Sequence, residues 1–166
     1  MKDVFTALEM AEKLIKIAFA EEFALHEGLK AVAKKIEKTA KGEIGNYQKE
    51  KGQFPEWAEL ADSTIAEKER LGYALPDNPL LRTGALRDSI TSEVKGLEAV
   101  VGSKSEIAAY HEFGTSKMPM RPFIGPAAFT NKAVIKKILG AAAVSGFYGG
   151  KKIHESLGYD FTTDGE

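Results

Sequence analysis

Three histidines each precede a glutamate, at His26-Glu27, His111-Glu112 and His154-Glu155, and these pairs are where metal or acid–base chemistry would be sought first. None belongs to an H-E-x-x-H arrangement. Neighbouring helical residues do not face each other, so each pair could offer one metal ligand at most, and the pairs sit in distant segments. They read as solvated or core-rim histidines, and no metal ligand is assigned. The chain has no cysteine, which excludes thiolate nucleophiles, thiolate metal sites and disulfides. It also lacks a G-x-S-x-G elbow. Ser103 and Ser105 fall at a strand end with no base suggested nearby. Gly114-Thr115-Ser116-Lys117 holds the residue types of a phosphate-binding loop without its spacing, and reads as a turn. No catalytic residue and no cofactor emerge, and the expectation is a protein that is not an enzyme.

Composition narrows the class further. A chain of 166 residues with 43% hydrophobic and 28% charged residues can bury a core as one domain, with an appended arm or tail. A formal net charge of −1 argues against a surface devoted to nucleic acid, which would carry an excess of lysine and arginine. No apolar run has the length of a membrane span. The start, Met-Lys-Asp-Val with Glu9 and Glu12 soon after, is not laid out as a secretory or transit signal. The expectation is synthesis in the cytoplasm and no membrane partner.

The elements that would position any site follow from periodicity. Val4, Leu8, Ala11, Ile15, Ala18, Phe19, Leu25, Leu29, Val32 and Ile36 recur at three- and four-residue steps, predicting one helix over residues 3–41. Its glutamates gather early and its lysines late, which suits the helix dipole. Gly28 interrupts it at a cost of about 1 kcal/mol, and Gly42 and Gly45 end it. Tyr47, Phe54, Pro55 and Trp57 anchor the following loop. A short helix over Thr64–Leu71 is capped by Asp62 or Ser63. Thr83 caps one turn that turns Leu86 inward and Arg87 outward. Strands Ile90–Lys95 and Glu98–Gly102 meet at Gly96-Leu97, with Ile90, Ser92 and Val94 on one face. Ser105 caps a helix over Glu106–Phe113 closed by Gly114. Residues 121–124 form a short strand or extended piece, Pro126 opens a helix to about Leu139, and a loose helix follows near 151–157. The predicted class is α+β: a long N-terminal helix and several short helices packed on a small antiparallel β-sheet. The expected divisions are an arm over 1–41, a core over 42–139 and a tail over 140–166.

The segment Tyr110–Ala127, YHEFGTSKMPMRPFIGPA, offers conformational control and few groups that could do chemistry. Gly114, Pro119, Pro122 and Pro126 limit its backbone. Arg121 between prolines is expected to aim its guanidinium outward, to a carboxylate or to backbone carbonyls. Met118 and Met120 are adaptable apolar groups. Either this loop is a docking surface built from Phe113, Gly114, Thr115, Met118, Met120, Arg121 and Phe123, or it folds over its own sheet and fills the core.

Leu81-Arg82-Thr83-Gly84-Ala85-Leu86-Arg87-Asp88-Ser89-Ile90, followed by His111-Glu112-Phe113-Gly114-Thr115, Met118-Pro119 and Arg121-Pro122-Phe123, resembles the signature of the phage virion-morphogenesis family, the tail-completion or head–tail joining proteins of tailed phages and prophages. The piece Trp57–Lys68 is also similar to the family's short helix. The likeness covers about residues 54–130. It implies a non-enzymatic structural protein of the virion, assembled in the bacterial host. Copies would form a ring, six-fold by analogy with tail symmetry, at the head-proximal end of the tail. Its partners would be itself, the tail tube or tail terminator protein, and the head connector or stopper protein. Double-stranded DNA passing through the lumen would be touched only non-specifically. Arg82 and Arg87 of the first segment join the docking loop as implied contacts. A second reading is an assembly factor that binds a head or tail protein through the amphipathic helix and stays out of the particle.

Overall fold

A computed structural model describes residues 6–148 of the chain. The order is α1 (Ala7–Glu43), α2 (Asp62–Arg70), α3 (Ala85–Asp88), β1 (Ile90–Lys95), β2 (Glu98–Ser103), α4 (Glu106–Phe113), α5 (Ile124–Thr130) and α6 (Lys132–Phe147). The two strands form one antiparallel hairpin, so the fold is α+β as expected. The helix expected near 151–157 lies outside the described residues. Among the described residues, no helix is long and apolar enough to cross a membrane.

Helix α1 begins with a reciprocal cap. Glu9 N donates to Thr6 Oγ1 at 3.2 Å, while Thr6 N donates back to Glu9 Oε2 at 2.8 Å, so two otherwise orphaned donors are satisfied. Its 37 residues extend roughly 55 Å at 1.5 Å per residue.

The chain divides into two compact units. One gathers the described residues of Met1–Val32, Val94–Ala99 and Ala133–Glu166. Here the α1 and α6 backbones approach closely through small residues. A Cβ on Gly28 would stand 2.8 Å from Ala142 Cβ, and one on Gly146 would stand 2.4 Å from Glu21 Cα. Gly28, which weakens α1 as an isolated helix, is the residue that lets α6 seat. At the hairpin tip His26 Nδ1 lies 2.7 Å from Gly96 O.

The other unit, Ala33–Glu93 with Val100–Lys132, holds the main apolar core. Ala40, Ile44, Trp57, Ile90, Ala108, Phe123 and Ala127 are buried together, with Ile36, Leu80, Leu81, Leu86, Val101 and Ile124 packed around them. Ile36, Ala40 and Ile44 follow the four-residue step of one helix face. On the opposite side of this end of α1, Lys34, Lys35 and Lys38 are exposed, as a solvated face requires.

Local expectations change at several points. The N-cap of α2 is Ala61 and not Asp62 or Ser63, and Ser105 precedes α4 without a side-chain capping bond; Ser103 Oγ instead accepts from Ser105 N. Residues 121–123 form no strand, and α5 already begins at Ile124. The single helix expected from Pro126 to about Leu139 is two, broken at Asn131. Asn131 Nδ2 donates to Ala127 O and to Thr39 Oγ1, both at 2.8 Å. Such a side chain competes for helix carbonyls, and the bond to Thr39 fixes the break against α1.

Glu37 joins α1 to the hairpin. It is buried and accepts bonds from Lys34, Lys41 and Ser92. Burial alone would raise its pKa, but the bonds from Lys41, Ser92 and Lys34 prevail and hold it at about 2. Because the folded value is depressed, this stabilisation is complete above the ordinary carboxylate value of 4.5 and fades as pH falls through about 2. The expected result is that Glu37→Gln costs on the order of 2 kcal/mol at neutral pH and flattens the loss of stability between pH 4.5 and 2. Urea unfolding across that range would show it; parallel curves for both proteins would contradict the assignment.

Candidate functional site

The segment Tyr110–Ala127 is held by a left-handed glycine and three sets of bonds that leave its backbone little freedom. Helix α4 ends at Gly114, whose φ of 74° requires glycine; a Cβ there would meet Met120 N at 3.0 Å. Thr115 and Met118 then close a tight turn, Thr115 N donating to Met118 O at 2.9 Å. The chain returns to α4 where Arg121 N donates to His111 O at 2.7 Å. From the end of α4 the Glu112 carboxylate accepts the backbone N–H groups of Phe123 (2.9 Å), Ile124 (3.1 Å) and Gly125 (2.8 Å). Those are the orphan donors of the first turn of α5, so a side chain 11 to 13 residues upstream caps that helix.

Arg121 binds backbone carbonyls, one of its two expected kinds of partner, but from the interior and not outward. Its side chain is 5% exposed and points inward. Nε and Nη2 reach Ala58 O at 3.0 and 2.8 Å, and Nη2 also reaches Glu59 O at 2.9 Å. The carbonyls of the irregular segment at 58–59 need donors, and an extended residue before Pro122 supplies a fork in the right place. Beside it Trp57 Nε1 donates to Pro122 O at 2.9 Å. Phe54 packs edge-on to Phe129, ring centres 6.2 Å apart.

The expected docking residues therefore divide. Phe113, Thr115 and Met120 are exposed, Gly114 and Met118 are half-buried, and Arg121 and Phe123 are interior. Phe123 is fully buried in the core and is not available as a contact in the folded chain. The fully buried Ile90 follows α3. Gly84 precedes α3 at φ 87°, and Ala85 N donates to Thr83 Oγ1 at 3.3 Å. Leu86 faces the core and Arg87 faces solvent, as expected. Arg82 is exposed, with Nη2 3.6 Å from Glu67 Oε2.

The segments that carry the resemblance meet around one cleft of about 720 Å³. Residues 59–68, 80–86 and 111–121 contribute its walls, with Leu60, Leu81 and Met118 among the apolar lining groups. Leu80, on the wall, has a φ of 61°, a left-handed conformation that costs about 1–3 kcal/mol for such a residue. Lys68, from α2, is 2% exposed and donates to Asn78 O at 2.8 Å. Burial first and the nearby Arg82 second hold its pKa below the usual lysine value. His111 also lines the cleft; burial and then Arg121 lower its pKa, favouring the neutral ring, and its buried Nδ1 has no hydrogen-bond partner among the described residues.

Sequence reasoning overlooked Glu112 and Lys68. Nothing near Glu112 marks it as the cap of a helix beginning at Ile124. Lys68 lies in a polar helix whose other charged residues are exposed, so no local pattern sets it apart.

A family model for the phage virion morphogenesis family matches residues 6–142. No curated protein and no solved structure is significantly similar to the chain.

Proposed function

The chain belongs to the phage virion morphogenesis family, and on that premise we propose that it is a structural protein of a tailed phage or prophage whose copies close into a ring at the head-proximal end of the tail. In this reading the ring completes the tail tube or seats on the tail terminator protein, and joins it to the head connector or stopper. It acts without catalysis, touches the passing DNA only non-specifically, and is assembled in the host cytoplasm.

The observation that carries the reading is the N-terminal part of α1. Leu8, Ile15, Phe19 and Phe23 are 71, 56, 69 and 69% exposed, and they lie within about 80° of one another around a helix of 3.6 residues per turn. A row of large apolar groups left open to water marks a protein contact. Full burial of the four would contribute about 6–12 kcal/mol at 1.5–3 kcal/mol each, comparable with the roughly 4–15 kcal/mol that association costs. An isolated pair is then marginal. Closing a ring adds an interface without immobilising a further subunit, which favours a cyclic arrangement of heterologous contacts.

Light scattering on the purified chain tests this, alone and with the tail-tube protein. A closed ring is expected, and the exposed pair Phe19→Glu and Phe23→Glu should abolish it while leaving the melting temperature unchanged. A monomer under both conditions contradicts the ring. The same exposed face suits the second reading, an assembly factor that grips a partner through α1, which absence from purified virions would favour.

A further inference from the structure

The lining of the cleft carries more cations than acids, although Asp77 acts on Lys68 from nearby and Glu67 pairs with Arg82. Lys68 and Arg121 are 2 and 5% exposed, and among the described residues no carboxylate lies in ion-pair range of either. Their hydrogen bonds go to backbone carbonyls, which satisfy donors without neutralising charge. Arg82 and Lys117 add exposed cations to the lining, and Glu59 is the one acid that lines it. The volume of about 720 Å³ falls within the roughly 300–1,000 Å³ of pre-formed binding sites. An apolar lining with buried cations suits a ligand that presents aromatic groups and carboxylates together. Those carboxylates could form charge-assisted hydrogen bonds there.

The chain itself carries such a ligand. Residues 159–166 read Tyr-Asp-Phe-Thr-Thr-Asp-Gly-Glu, with two aromatic groups, three carboxylates and no cation. We propose that this segment of one copy seats in the cleft of a second copy, so that each subunit is tied to its neighbour by this acidic segment. The inference rests on the homo-oligomeric reading above. Residues 149–158 separate the segment from the last described residue, and ten residues span at most about 33–36 Å when extended. The family match ends at residue 142, so the tether belongs to a part of the chain that the family pattern does not cover.

The test places a photoreactive benzoyl-phenylalanine at position 161 of the full chain and irradiates a mixture of ¹⁴N- and ¹⁵N-labelled copies. Mass spectrometry should find mixed-isotope products joining position 161 to residues 80–86 or 117–121. Combined Arg82→Glu and Lys117→Glu, both exposed and outside the core, should lower their yield roughly ten-fold with an unchanged melting curve. Asp160→Asn, Asp164→Asn and Glu166→Gln together should do the same. Products formed within one copy, products elsewhere on the surface, or yields indifferent to the charge changes would each overturn the proposal. Light scattering on the same sample separates the two readings. An oligomer without cleft products leaves the ring standing and removes the tether, whereas a monomer removes both.

Discussion

Replacing Glu112 by alanine is expected to lower the stability of the folded chain by about 3–5 kcal/mol. The carboxylate accepts three backbone N–H groups at 2.8–3.1 Å. Bonds to a charged acceptor contribute more than neutral ones, and the negative charge also opposes the positive end of α5. Alanine removes every acceptor and leaves the donors part-buried beside the fully buried Phe123. Glu112→Gln keeps one amide oxygen and should recover roughly half of the loss. Urea unfolding of the three proteins measures this directly. A change below about 1 kcal/mol for the alanine variant would mean that water replaces the carboxylate and that the cap is dispensable.

Arg121→Ala should cost a similar amount, about 3–4 kcal/mol, because it leaves the carbonyls of Ala58 and Glu59 without their donors and empties a buried site. Arg121→Lys should rescue less than half, since one ammonium cannot reproduce a planar fork serving two carbonyls. Folding and assembly should then fail together, assembly only as far as folding does. The sequence suggests the opposite ranking, with Arg121 presented outward and assembly more sensitive than folding. A variant that melts normally yet no longer assembles would restore that role.

The two expectations share a lesson about the motif. Gly114, the prolines, Glu112 and Arg121 read naturally as a rigid surface loop, and rigidity is what the structure contains. The means are internal: a carboxylate on the start of α5, a guanidinium on the 58–59 carbonyls, and Trp57 on Pro122 O. Of the residues expected to dock, Phe113, Thr115 and Met120 are the ones left exposed.

Residue order by itself determined the local elements, because their causes are local. The three- and four-residue apolar steps specify α1, the alternation around Gly96-Leu97 specifies the hairpin, and Gly114 specifies the end of α4. It also determined the family, since the motif segments occur in the right order along one chain. Only the tertiary structure decided which polar residues turn inward. Lys68, Glu112 and Arg121 look like the chain's other charged residues until partners ten or more positions away come within 3 Å. The break at Asn131 has the same origin, because Thr39 of α1 supplies one of its bonds from 92 positions away. Periodicity reports the environment of a face averaged over several turns, whereas a single buried bond depends on one distant partner, and residue order carries no signal for it.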